Sequence, residues 1–265
     1  MKPFVLTGFI TLLALLLHVS GSIAATDFTN SLCSVHYPSD DGVEWDCVQL
    51  KKSDTPVKLF GDRWQDVLRF NRMDRRHFVG GKSIKVPKRL EDIKGFTPMP
   101  KKYPGAANEA KFILVDQSQM FLGAYEYGRL AFSAPAAIGI EGHRVPNGEF
   151  RIEAVDRRHE SDTYPVAGTD QPYPMHYGLR FAVDNLNWIS YWIHGRDVPG
   201  LPASHGCIGL YDEEMQKQYS GTPKVPVLTD AKRLFQWVVG SRGDSGKFHR
   251  INYGPKVVII GTPPL

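Results

Sequence analysis

Alternating apolar and polar positions predict several short strands in the second half of the chain. The stretch "KFILVD", residues 111–116, is an apolar strand followed by the polar turn "QSQ". Residues 187–195, "NWISYWIHG", place Ile193 on one face and His194, at the strand end, on the other. "VPNGEFRIEAV" at 145–155 is a turn that leads into a strand, and "PKVVII" at 255–260 is a closing strand. Such spacing is typical of antiparallel sheets in a sandwich or a barrel.

Two segments show helical periodicity instead. Residues 229–240, "TDAKRLFQWVVG", form an amphipathic pattern with Thr229 or Asp230 as the N-cap and Gly240 as the stop. Residues 62–71, "DRWQDVLRFN", carry apolar side chains at helical spacing, with Asp62 available as a cap.

A proline-rich stretch divides the chain into two regions. Residues 95–110, "GFTPMPKKYPGAANEA", contain three prolines and no periodic apolar pattern, which indicates a linker. The region 26–94 is then a small α+β domain, and 111–262 is a larger domain rich in strands. We therefore expect a mainly β protein in which a β-sandwich-like domain with short helices follows a small N-terminal domain.

The first 25 residues have the layout of a secretory signal peptide. One lysine precedes a mostly apolar run, and small residues follow it, with cleavage expected after Ala24 or Ala25. An uncleaved membrane anchor is the alternative, although the run is short for a span of about 20 residues. No second apolar stretch could cross a bilayer. The pattern predicts export to the periplasm or the cell wall.

Composition and charge narrow the class of protein. The chain has 265 residues, of which 42% are hydrophobic and 23% charged, as in ordinary globular proteins. Its net charge of +4 is mild, and its basic residues are scattered without an aromatic-basic motif, which argues against a nucleic-acid partner. The charge suits an anionic polymer only weakly.

The chain contains three cysteines, Cys33, Cys47 and Cys207. Cysteines of exported proteins tend to form disulfides. Cys33 and Cys47 are close together in a short segment that a disulfide would stabilise. Cys207 is then left over, and an odd cysteine in an exported protein is a candidate reactive thiol. A buried, inert cysteine is the alternative.

That cysteine lies in the stretch "WIHGRDVPGLPASHGCIGL", residues 192–210, beside two histidines. A thiolate is a strong nucleophile, and the imidazole of His194 could take the thiol proton and hold the thiolate in an ion pair. Gly206 would let the chain turn sharply and aim backbone N–H groups at a substrate oxygen. A zinc site from His194, His205 and Cys207 would lack a fourth ligand, and a purely structural cluster is also open.

The motif resembles the signature of the L,D-transpeptidase catalytic domain, the YkuD-like fold. In this sequence it reads His194-Gly195, followed by Ser204-His205-Gly206-Cys207. The likeness extends to "ILVDQSQMFLGAYEYGRL", "VPNGEF" and "PMHYGLRF", and covers residues 111–228 approximately. The resemblance implies a peptidoglycan L,D-transpeptidase that needs no cofactor and no metal.

The resemblance also implies a role for each matching residue. Cys207 would form a thioester with a peptidoglycan stem peptide, His194 would be its general base, and the carbonyl of Gly195 would orient that histidine. Pocket shape and the oxyanion hole would come from the remaining motif residues, Ser204, His205 and Gly206.

One position departs from the pattern. Many relatives carry Arg or Asn two positions after the cysteine, whereas this chain has Gly209. An arginine there could hold a substrate carboxylate, and Arg180 or Arg196 could supply that charge instead. The group that accepts the acyl chain from the thioester is therefore left open. An amine acceptor would make the protein a transpeptidase, and water would make it an L,D-carboxypeptidase or a related hydrolase. A non-catalytic wall-binding protein is the third alternative.

The N-terminal region is loosely similar to a LysM module, a small unit that binds glycans rich in N-acetylglucosamine. The likeness rests on Asn71, Gly81 and Val86-Pro87. A structural cap without binding function is the alternative. The expected partners are thus peptidoglycan stem peptides and, through this region, glycan strands.

Overall fold

The computed structural model describes residues 31–240 and 245–264. The expected signal peptide, residues 1–25, lies outside the described residues. The strands are β1 Trp45–Gln49, β2 Ser83–Pro87, β3 Phe112–Asp116, β4 Phe121–Glu126, β5 Arg129–Pro135, β6 Gly148–Arg151, β7 Ala154–Asp156, β8 Glu160–Pro165, β9 Pro172–Pro174, β10 Gly178–Asp184, β11 Ile189–Arg196, β12 Ile208–Tyr211, β13 His249–Arg250 and β14 Lys256–Ile260. The helices are α1 Pro56–Phe60, α2 Trp64–Phe70, α3 Glu213–Ser220 and α4 Asp230–Val239. Within these two ranges, no helix has the length and apolar character needed to traverse a bilayer.

Two five-stranded sheets form the framework of the larger, strand-rich region. One has the strand order β12-β11-β10-β7-β13 and the other β5-β4-β3-β14-β6. Most neighbours are antiparallel, but β11 pairs with β12 and β14 with β3 in parallel. The fold is therefore mainly β and sandwich-like, as expected from the sequence.

The main hydrophobic core lies where these two sheets and α4 meet. Alternation along each strand sends every second side chain inward, so both sheets contribute apolar residues. Helix α4 begins after Thr229, ends at Gly240 and buries the face that holds Leu234, Phe235 and Val238. The strands contribute Ile113, Val115, Leu122, Ala124, Val155, Leu179, Ile193, Ile208, Leu210, Val257 and Ile259.

The N-terminal unit has the order strand, helix, helix, strand. Strands β1 and β2 pair antiparallel, and α1 and α2 lie between them in the chain. Cys33 is disulfide-bonded to Cys47 on β1, which fixes the segment before the first strand to this small sheet. The expectation that Asp62 caps α2 is wrong: Asp62 lies in a short 3-10 turn, and Arg63 holds the N-cap position without a side-chain hydrogen bond.

The two regions share a hydrophobic core. Residues of the N-terminal unit, among them Leu32, Leu68 and Met73, pack in one cluster with Val198 and Tyr211 of the larger region. The segment 95–110 is also packed, since Met99 and Ala106 are buried against the outer face of the sheet that contains β3. The N-terminal unit therefore packs directly on the chain before and after the segment 204–207.

Candidate active site

Strand β11 presents His194 close to its end. His194 is almost fully buried, and its Nδ1 lies 2.7 Å from the carbonyl oxygen of Gly195. Only a protonated Nδ1 can donate to that oxygen, so the contact selects the tautomer with the proton on Nδ1. The other ring nitrogen, Nε2, is then an unprotonated acceptor.

The register of two parallel strands brings Cys207 to the same side of the sheet. Ile193 pairs with Ile208 and His194 with Gly209. Both isoleucines point into the main core, and neighbouring side chains along a strand point to opposite faces. Cys207 immediately precedes Ile208, so it lies on the face that carries His194, next to the first pair of the ladder.

The pKa directions favour a neutral thiol beside a neutral imidazole. Burial, followed by the charge of Arg196, lowers the pKa of His194 to about 3. Burial raises the pKa of the Cys207 thiol, against a smaller lowering by the backbone N–H of Trp192. The ion pair expected from the sequence is therefore not the resting state that these environments favour.

The other motif residues precede Cys207 directly and differ in burial. Gly206 has a φ of +113°, and a Cβ added there would lie 3.3 Å from the ring of Tyr191. Ser204 is fully buried; its backbone N–H donates to Ile138, and its Oγ has no hydrogen-bond partner among the described residues. His205 stacks on the ring of Tyr164 at 4.4 Å between centroids. The burial of Ser204 anchors the turn, and His205 faces the more open side.

Arg196 occupies the space that a side chain at position 209 would need. A Cβ on Gly209 would lie 2.5 Å from Cδ and 2.6 Å from Cβ of Arg196. The guanidinium donates to the carbonyl of Ala203 and lies 5.6 Å from the ring centre of Tyr173, while its Nε is buried without a partner in the described chain. Arg196 thus lies next to the site.

Arg180 is tied to other residues of its sheet. Its Nε donates to Glu153 at 2.8 Å, and its guanidinium lies 5.7 Å from the ring of Trp192 and 5.1 Å from that of Phe248. The structure places Arg196, rather than Arg180, against the strand that follows Cys207.

Two residues that support the site, His176 and Asp212, were not singled out from the sequence. The carbonyl of His176 accepts a hydrogen bond from the N–H of Gly195 at 2.7 Å. Asp212 caps α3 through the N–H of Met215, and its Oδ2 is buried and unpartnered within the described residues. A Cβ on Gly195 would lie 2.4 Å from that oxygen, so the glycine lets the carboxyl pack against the strand. Only the acidic cap signal before α3 could have pointed to Asp212.

Metal ligands do not converge in the described part of the chain. Over residues 31–240 and 245–264, no group of three or more His, Cys, Asp or Glu side chains has a geometry that could hold a metal ion.

Comparison with known proteins identifies the family. The YkuD family, described as the L,D-transpeptidase catalytic domain, matches residues 110–259, more than half of the chain. The chain belongs to this L,D-transpeptidase family. A comparison with curated protein sequences gives no significant match.

Solved structures of L,D-transpeptidases also align with this member of the family. A Xylanimonas cellulosilytica L,D-transpeptidase is 17% identical, with 80% of this chain and 97% of that chain covered and a TM-score of 0.47. A Stackebrandtia nassauensis L,D-transpeptidase is 17% identical, with 77% and 69% covered and a TM-score of 0.41. Mycobacterium tuberculosis L,D-transpeptidase 1 is 19% identical, with 57% and 62% covered and a TM-score of 0.37. This chain thus spans about three fifths of the length of the mycobacterial protein.

Proposed function

We propose that this family member is an exported peptidoglycan L,D-transpeptidase that forms a thioester between Cys207 and a stem tetrapeptide. One observation carries the proposal: Nδ1 of His194 lies 2.7 Å from the carbonyl oxygen of Gly195, on the strand that pairs with the strand after Cys207. Cys207 is also the cysteine left free by the Cys33–Cys47 bond.

In the first half of the reaction, the donor peptide acylates the thiol. The sulfur of Cys207 attacks the carbonyl carbon of the L,D-linkage while Nε2 of His194 accepts the thiol proton. Backbone N–H groups near Gly206 and Cys207 would hold the oxyanion. When the tetrahedral intermediate collapses, the C–N bond breaks, and His194 returns the proton to the departing amine of the terminal D-residue. The neutral pair at rest means that proton transfer accompanies attack.

In the second half, an amine resolves the thioester. The side-chain amine of another stem peptide attacks the thioester carbonyl, His194 takes a proton from it, and the sulfur leaves and recovers that proton as a thiol. The product is a cross-link. Arg196, which borders the site, is proposed to attract a substrate carboxylate, with Arg180 the more distant candidate.

The N-terminal unit and the leader complete the proposal. The order strand, helix, helix, strand supports a LysM-like domain at 26–94 that contacts glycan strands, before a joining segment at 95–110 and a catalytic domain at 111–262. A disulfide between Cys33 and Cys47 supports residence in an oxidising compartment, in agreement with a signal peptide at 1–25 and location in the periplasm or cell wall.

Incubation with purified disaccharide-tetrapeptides tests the proposal by mass spectrometry. We expect an acyl-enzyme at Cys207 that has lost the terminal residue of the donor, and then cross-linked dimers. Cys207→Ala should form neither, and His194→Ala should acylate far more slowly than His205→Ala. Tripeptide without dimers would identify a carboxypeptidase, and turnover by Cys207→Ala would refute the assignment of the nucleophile.

A further inference from the structure

The loop between the two halves of the motif is in contact with the N-terminal unit. This connecting loop, residues 197–203, joins β11 to Ser204 and thereby sets where Cys207 lies. Opposite it is the segment that follows α2, residues 71–76, which we call the brace. Met73 of the brace and Pro199 of the loop form an isolated antiparallel bridge.

Asp74 links the brace to the connecting loop through two hydrogen bonds with Val198. Its backbone N–H donates to the carbonyl of Val198 at 2.8 Å, and its Oδ2 accepts the N–H of Val198 at 2.7 Å. The same oxygen accepts from Nε2 of Gln216 on α3 at 2.7 Å. Asp74 is fully buried, and a buried carboxylate with ordered donors fixes them more firmly than an exposed one. It therefore joins the loop to the helix that follows β12.

Two further contacts hold the loop beyond Val198. The hydroxyl of Tyr37 donates to the carbonyl of Gly200 at 2.5 Å. Gly200 has a φ of +92°, and a Cβ added there would lie 2.6 Å from the side chain of Leu32 and 2.8 Å from the carbonyl oxygen of Asn71. The loop thus fits closely against two segments of the N-terminal unit.

The brace is itself fixed inside the N-terminal unit. The side chain of Asn71 donates to the carbonyls of Val67 and Lys85 at 2.9 and 2.7 Å and accepts the N–H of Lys85 at 2.8 Å. Arg72, fully buried, donates to Asp40 at 3.0 Å. Rigid anchoring of this kind can transmit the position of the unit to the loop.

On the opposite side of the motif, the brace also reaches β12. The hydroxyl of Tyr211, four residues after Cys207, donates to the carbonyl of Met73 at 2.9 Å. The brace therefore contacts the chain before Ser204 and after Cys207.

We propose that the N-terminal unit is part of the catalytic assembly: its brace holds the connecting loop in the shape that presents Cys207 to His194, and Asp74 is the positioning residue. The catalytic part of this inference rests on the proposed transpeptidase function. A displacement of about 1 Å at a reacting group can cost about 100-fold in rate, so a loosened loop should slow acylation even when the protein stays folded.

The test compares Asp74→Asn and Tyr37→Phe with wild type in the full chain, by two readouts. The first is hydrogen exchange of peptides covering 197–207, followed by mass spectrometry. The second is kcat/KM for acylation by the tetrapeptide. We expect faster exchange confined to the loop in both variants. Acylation should fall roughly 10-fold or more in Asp74→Asn and a few-fold in Tyr37→Phe. Tyr37→Phe removes a single hydroxyl, so it remains informative if Asp74→Asn does not fold.

Asp66→Asn is the matched control. Asp66 lies on α2 in the same unit, and its carboxylate accepts from the N–H of Gly95 at 3.0 Å, away from the connecting loop. We expect this variant to retain wild-type exchange at 197–207 and wild-type acylation. Unchanged hydrogen exchange in Asp74→Asn and Tyr37→Phe would overturn the proposed role of the brace. An equal loss of acylation in Asp66→Asn would overturn it as well. Failure of wild type to acylate would overturn the proposed function and leave the exchange result to decide the brace.

Discussion

The side chain of Arg196 lies against Gly209, where an added Cβ would be 2.5 Å from Cδ and 2.6 Å from Cβ of the arginine. Gly209 pairs with His194 on the neighbouring strand and Arg196 with Tyr211, so Arg196 and Gly209 are diagonal neighbours, two residues out of register. The glycine that departs from the family pattern is therefore matched by an arginine on β11.

Gly209→Ala should destabilise the fold by about 1–3 kcal/mol because the new methyl overpacks the arginine stem. In the double variant with Arg196→Ala, the contact with Cδ is removed and only the contact with Cβ remains, so the loss should be smaller than the sum of the two single losses by about 1 kcal/mol. Urea unfolding measures all three. Gly42→Ala, at a position with no atom within 4 Å of the added Cβ, should change stability by less than about 0.5 kcal/mol. Strict additivity of the two substitutions would contradict the contact.

Cys207 should behave as a thiol at neutral pH. Burial raises its pKa, and the pKa of His194 near 3 leaves no imidazolium to hold a thiolate. We expect the rate of alkylation by iodoacetamide to climb with pH and reach its half-maximum above the ordinary cysteine value of about 8.5. N-acetylcysteine is the reference, and intact mass follows the reaction because the other two cysteines are bonded. A flat rate between pH 6 and 9 would instead show an ion pair.

The titration of Asp212 should make the free energy of unfolding fall as pH rises. Burial raises the pKa of its carboxyl from 3.8 to about 6. Between these values the folded protein binds more protons than the unfolded chain, so the free energy of unfolding falls with increasing pH, by at most about 3 kcal/mol. Asp212→Asn keeps a side-chain oxygen for the helix cap and does not titrate. Relative to wild type, the variant should therefore gain stability between pH 4 and 8 in denaturant titrations.

Asp184→Asn gives the opposite trend and serves as its control. Hydrogen bonds from Asn187 and Leu186 lower the pKa of the exposed Asp184 carboxyl. Its stabilising contribution is present at neutral pH and lost as pH falls through the folded pKa, so this variant should lose stability relative to wild type as pH rises. Parallel curves for Asp212→Asn and wild type would show that the Asp212 carboxyl does not titrate differently on folding.

The disulfide between Cys33 and Cys47 should contribute about 3 kcal/mol, since it closes a loop with a sequence separation of 14. The double variant Cys33→Ser/Cys47→Ser should lose this amount in urea unfolding. Dithiothreitol should destabilise a Cys207→Ser protein to a similar extent, which separates the bond from any effect of the free thiol. Identical midpoints with and without the bond would contradict the prediction.

Local patterns predicted the elements of this fold well, because strands such as β11 and helices such as α4 are encoded by alternation, caps and stops in contiguous residues. The proposed pair of His194 and Cys207 was predicted for the same reason: both residues lie in one short motif. The contact between Arg196 and Gly209 was not, because it depends on the register of two strands. The cap of α2 was mistaken since a 3-10 turn shifted the helix start by one residue.

The contacts of Asp74 were also out of reach of the sequence. Asp74 is 124 positions from Val198, so no local pattern indicates that the two residues are in contact. The three prolines in 95–110 predicted a linker between two regions, whereas this segment packs against the sheet that contains β3. Tertiary structure decides whether a charged residue is buried. Sequence patterns can therefore predict the helices and strands without predicting how they pack together.

The shared core has a practical consequence for how this protein can be shortened. A fragment cut at the family boundaries, residues 110–259, would retain the whole His-Gly and Ser-His-Gly-Cys motif. It would also expose an apolar patch to water, because four residues now in the shared core would lose their N-terminal partners: Ala137, Val198, Tyr211 and Leu228. A fragment of this kind should therefore aggregate, so a truncation should begin before Leu32 rather than at the first residue of the family match.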